Sequence, residues 1–239
     1  AAPRPLRAQQ GFLWVCPDEV APDAPPPRFP HLEDPAYAST VQVRDMPASL
    51  AATAENILDV PHTAFLHGGW FRKAPSRRIR AEIERGDAHA RARFDGEAAP
   101  SGLLGWLLAP GVDAIAHEDR FELPAQAHVE YRVGESHLAI TSALTPVGPH
   151  HTRITAVASI KLRFASRAVA WLAGPAARRV LAQDAAILEG VSENARRFPE
   201  ARSVSTEVDL LGPHIARLLR DAAHGAPTPP FARDVELFV

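Results

Sequence analysis

Between Glu55 and Gly69 the chain reads Glu-Asn-Ile-Leu-Asp-Val-Pro-His-Thr-Ala-Phe-Leu-His-Gly-Gly, which crowds an asparagine, an aspartate and two histidines into one short stretch. His62 and His67 are five residues apart, so on an unbroken α-helix their rings would diverge by about 140°. Pro61 interrupts the helix just before them, and Gly68-Gly69 permits close backbone approach just after, so both imidazoles can turn onto one ion. Asp59 precedes His62 by three residues, where its carboxylate can accept the ring hydrogen that a metal leaves in place. Asn56 stands about one turn earlier on the same face. A His-x4-His pair also suits a surface helix or a hydrogen-bonded core site, and the spacing alone does not choose among these.

A third ligand must come from elsewhere in the chain. The residues from Pro175 to Arg196 predict a long helix, with proline in its first turn and Ala176, Val180, Leu188, Val191 and Ala195 as an apolar stripe. Asp184 falls on that stripe, four residues after Val180 and four before Leu188, where an unaccompanied carboxylate would be costly and a metal would remove the cost. Glu189 is turned about 140° and Glu193 about 180° from it, so both should point elsewhere. The competing assignment for Asp184 is a buried salt bridge to Arg178 or Arg179. Two imidazoles and a carboxylate that leave one face of the metal open form the donor set of non-haem Fe(II) oxygenases. Zinc with the same three ligands and a water would suit hydrolysis, but no general base for it stands out in the sequence.

The elements that must position these residues follow from periodicity. Ser49 predicts the N-cap of a helix over Leu50 to His67, broken at Pro61. Strand patterns run over Arg78–Glu84, His89–Phe94, Ala114–Phe121, Ala127–Val133, His137–Leu144 and Thr152–Leu162, separated by turn sequences such as Arg85-Gly86-Asp87. A further short helix is expected over Pro213–Ala223. Strands flanked by an early helix and a long late one predict an α+β domain, a curved antiparallel sheet wrapped around the long helix with an apolar cavity between them. Gly11–Cys16 reads as a single strand with no partner before it. Prolines cluster at 17–35 and 226–230, which divides the chain into a strand and proline-rich linker (residues 1–38), a folded body (39–225) and a tail (226–239).

Composition narrows the function classes. A net charge of -2 among 239 residues argues against a broad nucleic-acid surface. The longest apolar stretch, Leu103 to Ala116, is interrupted by Gly105, Pro110, Gly111 and Asp113 and is too short to span a bilayer. Cys16 is the only cysteine, so no internal disulfide can form, and the first ten residues lack the apolar core of a signal peptide. A cytoplasmic setting is the default expectation.

Asp59-x-x-His62-x4-His67, followed far downstream by Gln183-Asp184 with Ile187 and Glu189, resembles the catalytic domain of Rieske-type non-haem iron oxygenase α subunits, in particular the vanillate demethylase and pheophorbide oxygenase branch. The likeness covers nearly the whole chain, because Gly11–Cys16 is similar to the strand that closes the Rieske domain. The resemblance implies a helix-grip, START-like fold and Fe(II) held by His62, His67 and Asp184. It implies that Asp59 links this iron to the Rieske cluster of a neighbouring subunit in a head-to-tail homotrimer, with Asn56 beside the site. O2 and a small hydrophobic aromatic or alicyclic substrate, hydroxylated or oxidatively demethylated, would be accompanied by NAD(P)H-derived electrons delivered through a reductase or ferredoxin. Pocket walls are expected at Leu103, Leu104, Trp106, Leu107 and Ile187. One departure stands out: a [2Fe-2S] Rieske cluster needs Cys-x-His and Cys-x-x-His pairs, and a chain with Cys16 alone cannot bind it. The cluster is therefore expected on a missing N-terminal part or on a separate chain. A metal-free helix-grip carrier of hydrophobic ligands with a decayed site is the alternative, and the intact His62, His67 and Asp184 weigh against it.

Overall fold

The structure, a computed structural model, describes residues 4–16, 25–60, 78–97, 115–163, 166–201 and 204–238. Strands form where apolar and polar residues alternate: β1 (Leu6–Gln9), β2 (Phe12–Val15), β3 (Ala38–Met46), β4 (Arg78–Arg85), β5 (His89–Asp95), β6 (Ala116–Glu122), β7 (Gln126–Val133), β8 (Ser136–Gly148), β9 (His151–Lys161) and β10 (Phe231–Phe238). The helices among the described residues include α1 (Leu50–Leu58), α2 (Ser166–Arg197) and α3 (Gly212–Ala223). In β4 the alternation is complete, with Ile79, Ala81 and Ile83 buried and the intervening charged residues in solvent.

Eight strands form one antiparallel sheet in the order β10-β4-β5-β6-β7-β8-β9-β3. The helices lie on one side of it, so the architecture is α+β and helix-grip-like. That side holds the main core, where Leu58 and Val60 from the end of α1, Ala185 and Leu188 from α2 and Ile215 and Leu218 from α3 meet Phe94, Phe121 and Ile154 of the sheet. α2 packs chiefly against β3 and also reaches β9 and α1.

Four expectations need correction. Gly11–Cys16 is not a lone strand. Leu6–Gln9 pairs with it across a two-residue turn in which Gln10 and Gly11 both have positive φ (54° and 78°), the backbone a tight hairpin requires. A strand, β3, forms over Ala38–Met46, where the sequence pattern predicts none. Residues 226–239, read as a tail, carry β10, which pairs with β4 along its whole length. The long helix starts at Ser166, nine residues before Pro175, which sits exposed inside it. Its buried stripe runs through Asp184, Ala185, Leu188 and Ser192, while Val191 and Ala195 lie in solvent.

Proline-rich residues 25–37 cross the outer side of the sheet. Phe29, 1% exposed, packs with Phe12, Trp14 and Leu32 on Ala143 and Val157. The Gln10 side chain brackets its backbone, donating to Phe29 O at 2.9 Å and accepting from Phe29 N at 2.7 Å. No helix among the described residues is long and apolar enough to cross a membrane.

Candidate metal centre

Ser49 caps α1 by accepting a hydrogen bond from Ala52 N, and alanines and leucines carry the helix to Leu58. α1 ends there, and the expected continuation over residues 61–67 lies outside the described residues. Asp59 takes extended angles (φ -88°, ψ 95°) and Val60 turns back into the core at 5% exposure. Asn56 is half-buried on the last turn of α1. His62 and His67 lie outside the described residues, as do Leu103, Leu104, Trp106 and Leu107. Among the described residues no group of three or more His, Cys, Asp or Glu side chains is arranged to hold a metal ion.

Asp184 is described, and it is 9% exposed on the face of α2 that meets α1 and the sheet. Its neighbours Ala185 and Leu188 share a core with Leu58 and Val60, which flank Asp59. The helix face that carries Asp184 is thereby packed into the same core as the chain that continues, two residues after Val60, to His62. Glu189 and Glu193 point into solvent, as do Arg178 and Arg179. Ile187, expected as a pocket wall, is 43% exposed.

Beside Asp59 the structure gathers residues that sequence reasoning missed. Glu55, Asp59 and Asp209 line one small recess with Leu58 and Gly212. Burial, then the charges of Asp209 and Asp59, push the Glu55 carboxyl above its ordinary value. Its Oε1 occupies the space that a Cβ on Gly212 would need, so a side chain there would force the Glu55 carboxylate to move. A second missed group is the buried trio Glu97, His117 and Asp119 on the helix side of the sheet. Its signal was available in strand alternation, which puts His117 and Asp119 on the same side as the core residue Phe121.

Comparison with known proteins bears on the fold and the family. No curated protein sequence matches the chain. Among solved structures, the QL mutant of NdmA from Pseudomonas putida CBB5, with theobromine, superimposes with a TM-score of 0.70 at 17% identity, covering 96% of this chain and 66% of that one. Dicamba monooxygenase bound to dicamba gives 0.69 at 17% identity over 92% of this chain and 69% of that one. NdmB from the same Pseudomonas strain gives 0.66 at 16% identity over 96% and 66%. At these identities the likeness concerns the fold, and the chain spans about two thirds of their length. The family model described as the vanillate O-demethylase oxygenase C-terminal domain matches residues 46–224, from the last residue of β3 past the end of α3, and so the chain belongs to that family of Rieske oxygenase catalytic domains.

Proposed function

We propose that this oxygenase domain holds a mononuclear Fe(II) through His62, His67 and Asp184 and hydroxylates or oxidatively demethylates a small hydrophobic ring compound. The observation that carries the reading is the buried carboxylate of Asp184 on the α2 face that shares a core with Leu58 and Val60. Two imidazoles and one carboxylate are a donor set suited to iron with open positions, and a bound cation offsets the cost of burying Asp184. When bound, the ion would supply O2 activation, with electrons from a Rieske cluster that a chain with Cys16 alone does not hold.

The chain's own residues do the remaining work. Asp59, extended just beyond α1, accepts the ring hydrogen of His62, fixes its tautomer and forms the polar link toward the electron donor. Asn56 holds the polar end of α1 beside it. Apolar side chains between the sheet and the helices exclude water and orient the substrate. NdmA with caffeine and dicamba monooxygenase with dicamba are structures of proteins that hold ring compounds, which supports a ligand of similar chemistry here. NAD(P)H oxidised by a reductase or ferredoxin system is the proposed electron source, and a homotrimer in the cytoplasm is the proposed setting.

Anaerobic reconstitution tests the metal site. About one Fe(II) per chain is expected, with loss in His62→Ala, His67→Ala and Asp184→Ala and retention in Glu189→Ala. Parental iron content in both histidine variants would overturn the reading. In an enzyme completed with its cluster, Asp59→Asn should keep its iron and lose most of its turnover.

A further inference from the structure

Residues 25–37 are tied to the outer side of the sheet at two places. At one, the packed Phe29 ring and the Gln10 side chain hold them through groups that do not titrate. At the other, the contacts converge on one histidine of β8. Tyr37 Oη lies 2.6 Å from His137 Nδ1, and His31 stacks on the Tyr37 ring with centroids 4.2 Å apart and planes 15° from parallel. Both rings stand nearly perpendicular to His137, with centroids 5.1 and 5.6 Å away, and the His137 side chain beneath them is 4% exposed. His31 holds a left-handed backbone (φ 62°), which a residue with a Cβ keeps only where its surroundings hold it.

The charges that face His137 come from three elements. On β7, Arg132 is its direct cross-strand partner, and Glu130 Oε2 stands 3.4 Å from its Nε2 but already accepts from Arg132 at 3.1 Å. On β9 its direct partner is Lys161. The crossing segment adds His31 and Tyr37, with the Asp34 carboxylate close enough to act on the Tyr37 hydroxyl. While His137 is neutral, its Nδ1 accepts the Tyr37 O–H. A proton on Nδ1 takes that lone pair away, so the hydroxyl hydrogen loses its acceptor and a cation is shut in between Arg132 and Lys161 with one shared carboxylate. Burial, then Arg132 and His31, outweigh Glu130 and hold the His137 pKa below its ordinary value. Lifting the segment into water relieves the charge.

We infer that Tyr37, His31 and His137 form an acid-released latch: it is closed while the His137 ring is neutral, and when that ring takes up a proton residues 31–37 lift off the sheet between two points that stay fixed, Phe29 and β3. The latch stands on the side of the sheet away from Asp184 and is independent of the function proposed above.

Hydrogen exchange of the whole chain, corrected for the intrinsic effect of pH, reads the opening. A ring with an ordinary pKa of 6.5 that enters the closed state only when neutral favours the open state up to about tenfold more at pH 5.5 than at pH 7.5. Protection in residues 31–37 should fall by up to that factor while protection in β5 and β6 holds. The chain has two tyrosines, and Tyr131 faces the other side of the sheet, stacked on His117. In ring-labelled NMR spectra the Tyr37 signals should therefore move over the same pH range, with a midpoint below 6.5, and those of Tyr131 should stay. His137→Gln keeps an acceptor for Tyr37 without a titrating ring, and its protection should not depend on pH. Tyr37→Phe, at a half-buried position that keeps the test available should His137→Gln not fold, should lose about fivefold in protection of residues 31–37 already at pH 7.5. Protection in residues 31–37 that holds to pH 5.5, whether or not the Tyr37 signals move, would overturn the latch. So would an equal loss in β5 and β6, a loss that persists in His137→Gln, or parental protection in Tyr37→Phe.

Discussion

On β6 His117 faces the helices with a carboxylate on each nitrogen, while on β7 and β8 His128 and His137 face outward with hydroxyl partners on Nδ1, Thr141 Oγ1 at 3.1 Å and Tyr37 Oη at 2.6 Å. All three are at most 5% exposed. Burial lowers the pKa of His128 and His137, with Arg120 pressing further on the first and Arg132 on the second, so both are held below the ordinary value. For His117 the same desolvation is outweighed by Asp119 and Glu97. Depth of burial is nearly equal on the two sides of the sheet. What differs is the balance of charge: His117 has a carboxylate on each nitrogen, whereas His128 and His137 each have one, Glu122 Oε2 at 3.3 Å and Glu130 Oε2 at 3.4 Å, opposed by Arg120 and Arg132.

The largest expected effect breaks the inner frame. His117→Leu leaves Glu97 and Asp119 without their shared cation, which costs about 3–5 kcal/mol and lowers Tm by about 10 °C. Calorimetry across pH sharpens the contrast. Because the folded pKa of His117 is raised from 6.5 to about 9, its contribution is complete below pH 6.5 and fades as the pH climbs through 9, a loss on the order of 3 kcal/mol that His117→Leu should not show. His128 and His137 have the opposite sign: their lowered values give stability above pH 6.5 that is lost as the pH falls below it, in parent and variant alike.

A smaller effect loosens the outer seam. Phe29→Ala removes the ring seated on Ala143 and Val157 and should cost about 3 kcal/mol. Amide exchange should quicken in β1, β2 and residues 25–37 and stay slow in β5 and β6; equal quickening on both sides would mean that the two faces are one cooperative unit. The smallest effect is on the inner side, where Ser49→Ala removes the cap of α1 at about 1 kcal/mol and should leave the Tyr37 signals unchanged.

The pattern of legibility follows the same division. Strands β4 to β9 were readable because their apolar residues face a core and alternate with charges. β3 inverts that pattern: Val41 and Val43 are 44% and 61% exposed on the outer side, while Thr40, Gln42 and Arg44 face α2. β10 follows a proline cluster that reads as the end of the fold, and its Arg233 and Glu236 obscure the inward Val235 and Leu237. Pro175 misplaced the start of the long helix because proline most often marks a first turn, and here the residues before it continue the helix. On α2 the burial of Asp184 was legible from its spacing to Val180 and Leu188, although Val191 and Ala195 of the same expected stripe lie in solvent. The recess of Glu55, Asp209 and Gly212 could not be read, since it depends on how closely α1 and α3 approach across 150 residues of intervening chain, roughly the separation a fold alone can bridge.

The pairing of β10 with β4 bears on how the molecule is made. Arg80 meets Asp234 and Arg78 meets Glu236 across 154 and 158 residues of chain, while β4 through β9 join neighbour to neighbour as they appear. During synthesis β4 can find β5 at once, yet its other flank waits until nearly the whole domain has left the ribosome. Throughout that interval a row of unpaired backbone donors and acceptors is open to any passing strand. The arginines and glutamates along β4, placed on its outward side, keep that waiting flank well hydrated and repel a wrong partner of like charge, so the same residues that later pair with β10 guard the nascent chain against aggregation.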